Sequence, residues 1–594
     1  METLPSPRKG RPRLADVAII AILCMAFYFS LSFTRPLASP DEGRYSEIPR
    51  EMAETGDWVT PRLNGVQYFY KPPLFYWMQA TSIEAFGVNR MSLRLPNSAM
   101  AVLGIVLTYL AAAWTYGRKA GLFSAAVLAT TLFYYAMGNI ITLDMTVSVF
   151  ITGALFSFML AWRERESAAK RGAFWISAFA FSALAVMTKG LIGILIPGCV
   201  AFLYLMLTGP VSSLRSVRKS DLAWWAAGLA VFAAIAVPWH VLAAAANPPL
   251  EGAEGMFSKN PEGQGFAWYY FINEHFLRYL DAETSHRYQP FWFFFAFAPV
   301  GFIPWIVLLP RAVRNAAAGG WAKLKASNPE FIFLCVWIAF VLLFFSISKS
   351  KLLPYILPIY PALAVIVGRL LAKVWDAPEK YRLRPEAYTL VGLGLAAAVA
   401  VVPLFAHFSA KGKILNPESA MICFGALGIF LLCGSLVTLY FILKRRPHAG
   451  TFSLFAAIAL FLFCFNPLGS HLQRPDTEEF AKIIMQKASP EAKIIASECY
   501  NEAQDLPVWL GRVISVYKGP TEEQAFGFNR EREKHESRYL DDAEFSEAMS
   551  KSECFIVFHR ESYKRVAGRL PGSERLKKLA DHGKLSLYHT EKPE

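Results

Sequence analysis

Charged side chains are scarce in this chain of 594 residues: they make up 18% of the sequence, whereas hydrophobic residues make up 54%. A single soluble domain of this length needs more polar surface, so that class of protein is excluded. The apolar residues fall in repeated runs long enough to cross a bilayer, separated by short basic stretches. We therefore predict a polytopic α-helical membrane protein.

Several familiar motifs are also missing. No glycine-rich phosphate loop occurs, which argues against a nucleotide site. The eight cysteines lack the spacing of zinc ligands, and most of them lie inside apolar runs. Cys499 and Cys554 lie in the polar C-terminal part, where a disulfide between them is left open. The first apolar run has no convincing cleavage site, so we expect no cleaved signal peptide.

The positive charge, a net +14, follows the apolar runs and therefore indicates membrane topology rather than nucleic-acid binding. Basic residues between positions 8 and 13 precede the first span and place the N-terminus in the cytoplasm. With about thirteen spans, loops 34–94 and 246–289 and the C-terminal part lie outside. Six basic connections then share the cytoplasmic side with the N-terminus: 117–119, 163–171, 215–219, 311–325, 373–384 and 444–446.

The sequence changes character near residue 469. Residues 1–468 form the predicted transmembrane domain, and residues 469–594 alternate between helical and strand-like patterns. This alternation predicts a small α/β domain with a partly parallel sheet. The charged insert 522–536 is expected to be a solvated loop. Strands are predicted at 493–496, 512–517, 554–558 and 585–588, and helices at 476–487, 541–549 and 562–570.

The first external loop carries a candidate catalytic carboxylate. Asp41 follows a proline and begins a stretch that can form a helix with Tyr45, Ile48 and Met52 on one face. Such a carboxylate either caps the helix or accepts a proton from a substrate, and the spacing leaves both open. The neighbouring Glu42 projects in another direction, because adjacent residues do not share a face.

The same loop ends on a candidate phosphate contact. Lys71 precedes two prolines, which fix the backbone and prevent a helix from continuing through it. A cation held among tyrosines at a membrane surface suits a lipid phosphate. The alternative is a snorkelling lysine in an aromatic belt.

Further charged residues lie on the predicted outer side. Asp144 begins a span, and Lys189 lies between two apolar runs, so a helix cap and a turn are their ordinary interpretations. Lys349 and Lys351, followed by Tyr355, place positive charge against the prevailing bias. An anionic ligand is a better reason for that exception than membrane insertion.

One histidine could bind a metal. His275 lies beside Glu274 in the loop 246–289, with His286 further along. A single histidine without a fixed partner is usually structural, so both interpretations are kept.

Five segments resemble a known family and occur in its order: PDEGRY at 40–45, DWVTPRLNG at 57–65, YKPPL at 70–74, TKG at 188–190 and KLLPYILP at 351–358. They are similar to the bacterial lipid A aminoarabinose transferases. They also resemble the wider polyprenyl-phosphate-dependent glycosyltransferases of GT-C type, which include protein O-mannosyltransferases. The similarity extends from the first span to about residue 361, more than half of the chain.

The resemblance implies a set of site residues. It implies Asp41 as the catalytic or acceptor-orienting carboxylate, Asp144 as a second acid and Lys71 as a donor-phosphate contact, with Arg278 and Lys351 as looser phosphate contacts. Further candidates for the substrate cavity are Glu42, Arg44, Tyr45, Lys189, Lys349 and Tyr355.

The sequence departs from the family at Tyr70. Relatives often have a glutamate before the Lys-Pro-Pro, and where that glutamate helps a histidine hold a metal, Tyr70 puts the site in doubt. We expect no required cofactor and leave zinc at His275 open.

The resemblance implies an enzyme of the bacterial inner membrane with a periplasmic active site and C-terminal domain. It would transfer a sugar such as 4-amino-4-deoxy-L-arabinose from undecaprenyl phosphate to lipid A or a related envelope glycan, with inversion. Transfer to protein hydroxyls is the first alternative. A flippase or transporter is the second, although the charges cluster in outer loops rather than at the midplane.

Overall fold

A computed structural model describes residues 12–30, 33–209, 217–258, 260–277, 288–410, 414, 417–471 and 477–591. Most of the chain up to His471 is helical. The helices of this part are α1 (Leu14–Phe29), α2 (Asp41–Thr55), α3 (Leu74–Phe86), α4 (Arg90–Tyr116), α5 (Arg118–Ala129), α6 (Leu132–Gly138), α7 (Leu143–Arg163), α8 (Ala168–Lys189), α9 (Ile192–Thr208), α10 (Lys219–Ala246), α11 (Phe293–Gly301), α12 (Leu309–Ala317), α13 (Gly320–Ser327), α14 (Pro329–Ile347), α15 (Ile359–Asp376), α16 (Arg384–Ala410), α17 (Pro417–Leu443) and α18 (Pro447–His471).

Eight of these helices are long and apolar enough to cross a membrane, and two bent pairs, α5 with α6 and α11 with α12, raise the number of candidates to ten. Helices α1 and α9 are apolar but shorter. The described part of the chain therefore holds eight to ten candidate spans, and the number of about thirteen stays a prediction. The apolar windows of α10 and α16 are only 17% and 11% buried, so these helices face lipid. A polytopic membrane protein is confirmed.

The predicted basic connections lie together at one end of the bundle. They are joined by ion pairs between helices that are distant in sequence, and His448 Nε2 lies 2.9 Å from the Trp375 carbonyl oxygen. The ion pairs are Asp16 with Arg118, Lys119 with Asp376, Arg163 with Glu330, Arg171 with Asp221 and Arg311 with Glu386.

Loop 34–94 folds against the opposite end of the bundle, which is called the outer end below because the sequence predicts this loop to be external. Helix α2 buries Ile48 and Met52, as its spacing predicts, in an apolar cluster with α3. After α2, the strands β1 (Arg62–Leu63) and β2 (Val66–Gln67) form an antiparallel hairpin. Its turn residues, Asn64 and Gly65, both have positive φ, which is why an Asn-Gly pair suits this turn.

The C-terminal part is an α/β domain. Its elements are α19 (Glu478–Lys487), β3 (Lys493–Ser497), α20 (Leu506–Leu510), β4 (Ser515–Tyr517), α21 (Ala525–Arg530), α22 (Arg532–His535), β5 (Tyr539–Leu540), α23 (Asp542–Lys551), β6 (Cys554–His559), α24 (Arg560–Val566), β7 (Lys577–His582) and β8 (Leu585–Thr590). The sheet order is β5-β4-β3-β6-β8-β7. The first four strands are parallel to one another, and β8 pairs antiparallel with both of its neighbours, β6 and β7. Successive residues of β3 face opposite apolar clusters, Ile494 one and Ile495 the other. The predicted partly parallel sheet is confirmed.

The expectation of a solvated loop at 522–536 is wrong. The segment forms α21 and α22 and packs on the outer loops of the bundle. Gln524 is fully buried and donates to the Leu63 carbonyl oxygen at 2.8 Å. The ring of Phe526 stacks on Tyr269 with 4.1 Å between centroids. A few apolar side chains within this charged segment therefore fix its position against the bundle.

Cys499 and Cys554 are free, buried thiols. Cys554 begins β6 opposite Lys493 at the start of β3, whereas Cys499 follows the end of β3. Cys499 Sγ donates to the carbonyl oxygen of Val557, three residues along β6 from Cys554, and the two thiols belong to apolar clusters on opposite faces of the sheet. At ~3.3 Å per residue this separation is about 10 Å, too far for a disulfide.

Asn64 provides a test of the contact between the two domains. Its side chain is fully buried, donates to the Ile514 carbonyl oxygen at 2.9 Å and accepts from Ile514 N–H at 2.8 Å. Asn64→Ala leaves both backbone groups unsatisfied and should cost about 2–4 kcal/mol, measured by thermal unfolding of the detergent-purified protein.

The matched control is Glu531→Gln, which removes the ion pair between Arg62 and Glu531, two side chains about one-fifth exposed. It should cost less than about 1 kcal/mol. Equal melting temperatures for Asn64→Ala and the wild type would contradict the contact.

Candidate active site at the outer end of the bundle

A buried carboxylate organises the outer end of the bundle. Glu42 is fully buried in the first turn of α2. Its oxygens lie 2.9 Å from Arg35 Nη2 and 3.2 Å from Arg94 Nη2, and they accept N–H bonds from Ala38 at 2.8 Å and Ile141 at 3.0 Å. Burial favours the neutral acid, but the two guanidinium charges outweigh it and lower the pKa of Glu42 to about 2. Glu42 thus anchors the loop; its side chain has no surface towards a cavity.

Asp41 precedes this anchor and has a different environment. The N-cap position is occupied by Pro40, so Asp41 lies in the first helical turn, with its side chain exposed. The capping interpretation is therefore wrong. A carboxylate there is favoured by the partial positive charge of the helix N-terminus. Its catalytic role stays a prediction.

Three predicted site residues meet beside this loop. Helices α7 and α8 have nearly equal lengths and run antiparallel, so the start of one lies level with the end of the other. Lys189 Nζ lies 2.5 Å from Asp144 Oδ1, and it lies 4.8 Å from the centroid of the Tyr355 ring. The side chains of Asp144 and Lys189 are each 17% exposed. This cluster is an ion pair with access to solvent and an aromatic wall.

Lys71 is held at the turn before α3, whose N-cap is Pro73. Its Nζ lies 4.1 Å from the centroid of the Tyr70 ring and 3.9 Å from Glu274 Oε2. One-fifth of its side chain is exposed. A cation partly neutralised by one acid and one ring can still receive a phosphate.

Lys351 is more buried than the sequence suggests. Its Nζ donates to the Gln289 carbonyl oxygen at 2.8 Å and to that of Ser348, and burial lowers its pKa. Lys349, two residues earlier, is exposed. The phosphate-binding role of Lys351 stays a prediction.

Two other candidates contact protein groups. Arg44 is buried, pairs with Glu523 and donates to Gln504 Oε1 at 3.2 Å, so it joins α2 to the C-terminal domain. Tyr45 packs its ring 6.3 Å from those of Phe75 and Tyr76.

The metal prediction falls partly outside the described residues. Arg278 lies outside them, and of His275 only the backbone is described, within a π-helix over Trp268–Leu277. Among the described residues no three metal-ligating side chains cluster. At the family's glutamate position Tyr70 covers Lys71, and the nearby carboxylate of Glu274 faces that cation. The zinc site at His275 stays a prediction, because its side chain and His286 lie outside the described residues.

Sequence reasoning missed Arg35 and Arg94, the partners of Glu42. Arg94 interrupts an apolar helix, and a charge in such a run needs a partner, so a signal existed. It also missed Asp505, which accepts from Ser39 Oγ at 2.7 Å. These two residues are more than 460 positions apart, and nothing in the sequence links them.

The chain is similar to known glycosyltransferases. Residues 16–249 match the family model for dolichyl-phosphate-mannose-protein mannosyltransferase. The chain is 33% identical over 416 residues to an undecaprenyl phosphate-α-4-amino-4-deoxy-L-arabinose arabinosyl transferase of Aeromonas hydrophila, covering 70% of this chain and 69% of that protein. A protein of the same name from Pectobacterium carotovorum is 30% identical over 423 residues, with 70% of each chain covered.

The chain belongs to this arabinosyl transferase family. The structure of ArnT from Cupriavidus metallidurans bound to undecaprenyl phosphate covers 98% of this chain and 100% of its own, with a TM-score of 0.77 and 25% identity. The arabinosyl transferase family predicted from the five segments, and its membrane-embedded fold, are confirmed.

A second group of buried acids lies further along α2. Glu47 and Glu51 are four residues apart and their carboxyl groups hydrogen-bond each other. Arg50 donates to both oxygens of Glu47 at 2.6 and 2.7 Å, and Gly65 N–H donates to Glu51 Oε2 at 2.9 Å. Burial raises the pKa of both glutamates, so the pair keeps a proton at a pH where an exposed glutamate has lost it.

We expect this proton to make folding stability fall as the pH rises. Above the ordinary value of 4.5 the unfolded chain has released the proton that the native pair retains, and the loss continues until the pH passes the folded pKa. Glu51→Gln should flatten this slope, because the amide donates to Glu47 and still accepts from Gly65 N–H. Melting temperatures at pH 5 and pH 8 check it.

Relative to the wild type, the melting temperature of Glu51→Gln should be higher at pH 8 than it is at pH 5, where the two proteins should melt at the same temperature. Glu42 acts in the opposite sense, but only as the pH falls below 4.5 towards its pKa of about 2, outside this range. Identical slopes for wild type and variant would contradict the shared proton.

Proposed function

We propose that the protein transfers 4-amino-4-deoxy-L-arabinose from undecaprenyl phosphate to lipid A. One observation carries the proposal: exposed Asp41, the pair of Asp144 with Lys189, and Lys71 share the outer end of a bundle whose relatives are named for this donor. The related ArnT structure has undecaprenyl phosphate bound, which supports a lipid-linked donor here.

The chemistry is an inverting displacement. An acceptor oxygen attacks the anomeric carbon of the sugar from the face opposite the phosphate; a new glycosidic bond forms as the bond from that carbon to the phosphate oxygen breaks. Asp41 takes the proton from a hydroxyl acceptor, or orients an acceptor phosphate that is already ionised. Undecaprenyl phosphate leaves with the bonding electron pair.

Cations stabilise the charge that grows on the leaving phosphate. Lys71 is the first such group, and Lys351 and Arg278 are the further candidates. The pair of Asp144 with Lys189 supplies a second carboxylate and a cation beside Tyr355, suited to an aminosugar with hydroxyl and ammonium groups. The energy comes from the donor's phosphodiester, so the reaction consumes no nucleotide.

We place the site on the periplasmic side of the bacterial inner membrane. The ion-paired basic connections at the opposite end of the bundle support this orientation, since cytoplasmic connections are rich in lysine and arginine. The loops 34–94 and 246–289 and the C-terminal domain are then periplasmic.

Asp41→Asn tests the carboxylate. The amide keeps the size of the side chain but cannot take a proton, so the transfer rate in detergent should fall by about 10²–10⁴-fold. Release of undecaprenyl phosphate from donor and lipid A is the measurement, and an unchanged melting temperature is the folding control. A wild-type rate in Asp41→Asn would refute this role.

Lys71→Ala should lower the rate by about 10²-fold, because one cation at the leaving phosphate is lost. Lys71→Arg keeps the charge and should retain more activity than the alanine variant. Lys323→Ala, in the exposed helix α13 at the other end of the bundle, is the matched control and should behave as wild type. If all three lysine variants turn over at the same rate, Lys71 has no part in donor binding.

A further inference from the structure

A segment of the C-terminal domain lies directly against the turn that carries Asp41. Gly43 marks the contact: a Cβ there would lie 2.6 Å from Asp505 N and 2.9 Å from the Gln504 carbonyl carbon. Both neighbours are backbone atoms, which cannot turn aside as a side chain can. The close approach therefore requires glycine at position 43.

Hydrogen bonds fix the same turn on both sides of Asp41. Ser39 Oγ donates to Asp505 Oδ1 at 2.7 Å, and Thr477 N–H holds the other oxygen of Asp505 at 2.8 Å. On the far side, Arg44 donates to Gln504 Oε1 at 3.2 Å. Asp505 and Gln504 are fully buried, so these contacts are shielded from water.

The helix geometry directs the side chain of Asp41 away from the C-terminal domain while its backbone is held. Residues of an α-helix are separated by about 100°, so Asp41 and Gly43 point about 200° apart. Gly43 faces the C-terminal domain and Asp41 is exposed. The C-terminal domain therefore contacts the turn on the side opposite the side chain of Asp41.

We propose that Asp505 is a positioning residue for the transfer reaction, acting through Ser39 on Asp41. The inference rests on the proposed function, in which Asp41 contacts the acceptor. The C-terminal domain is then a working part of the active site. Asp505 accepts the Ser39 hydroxyl, Ser39 fixes the entry to α2, and the entry to α2 fixes where Asp41 meets the acceptor oxygen.

Ser39→Ala is the informative variant. Asp505→Ala would also leave the buried N–H of Thr477 unsatisfied and lower stability, whereas Ser39→Ala removes the contact with Asp505 and leaves that bond. A carboxylate displaced by part of an ångström should lower kcat by about 10- to 100-fold. The donor KM should stay near wild type, and the melting temperature should fall less than that of Asp505→Ala, which loses the Thr477 N–H bond as well. Ser39→Thr, which keeps the hydroxyl, should restore kcat.

The double variant Ser39→Ala with Asp41→Asn separates positioning from a general structural effect. If Ser39 acts through Asp41, adding Ser39→Ala to Asp41→Asn should change the residual rate by less than about twofold. Glu531→Gln, which removes the charge of another contact between the domains at β1, is the control and should keep the wild-type kcat.

The outcomes distinguish the two proposals. An inactive Asp41→Asn with a wild-type Ser39→Ala overturns the positioning role alone. Full multiplication of the two effects in the double variant overturns it as well, because Ser39 would then act independently of Asp41. A wild-type rate in Asp41→Asn overturns the proposed function, and the positioning role with it.

Discussion

The outer end of the bundle depends on one buried carboxylate. Glu42 joins the segment after α1 through Arg35, helix α4 through Arg94, and the segment leading to α7 through Ile141 N–H. An ion without water must have all its partners in place, because losing one leaves an uncompensated charge. This requirement fixes the chain on both sides of Glu42, and Asp41 is its neighbour. The buried anchor therefore holds the backbone beside Asp41, the proposed reacting group, whose side chain is exposed.

The C-terminal domain holds the loop that Glu42 anchors through a second set of contacts. It contacts the first loop through Asp505 and Ile514. It also contacts the π-helix through Phe526 and the loop before that helix through Arg530, which donates to the Gln264 carbonyl oxygen at 2.6 Å. Both loops lead to proposed substrate contacts. Packing over these loops accounts for the position of the domain.

Local pattern made much of the fold predictable. Apolar run lengths and the basic connections predicted the spans and their grouping, and alternating patterns predicted β3, β6 and β8. The insert 522–536 was mistaken because its charges outnumber the few apolar side chains that bury it. In the site, Asp144 and Lys189 are predictable as charges near helix ends. Their contact, and the bond between Ser39 and Asp505, depend on long-range packing that no local pattern contains.

The most direct test of the whole account is mass spectrometry of lipid A from cells with and without this protein. The account predicts that lipid A gains the mass of a 4-amino-4-deoxypentose only in cells that contain the protein, with periplasmic proteins unmodified. Unchanged lipid A together with a glycosylated periplasmic protein would contradict it, and so would unchanged lipid A together with donor accumulating on one side of the membrane.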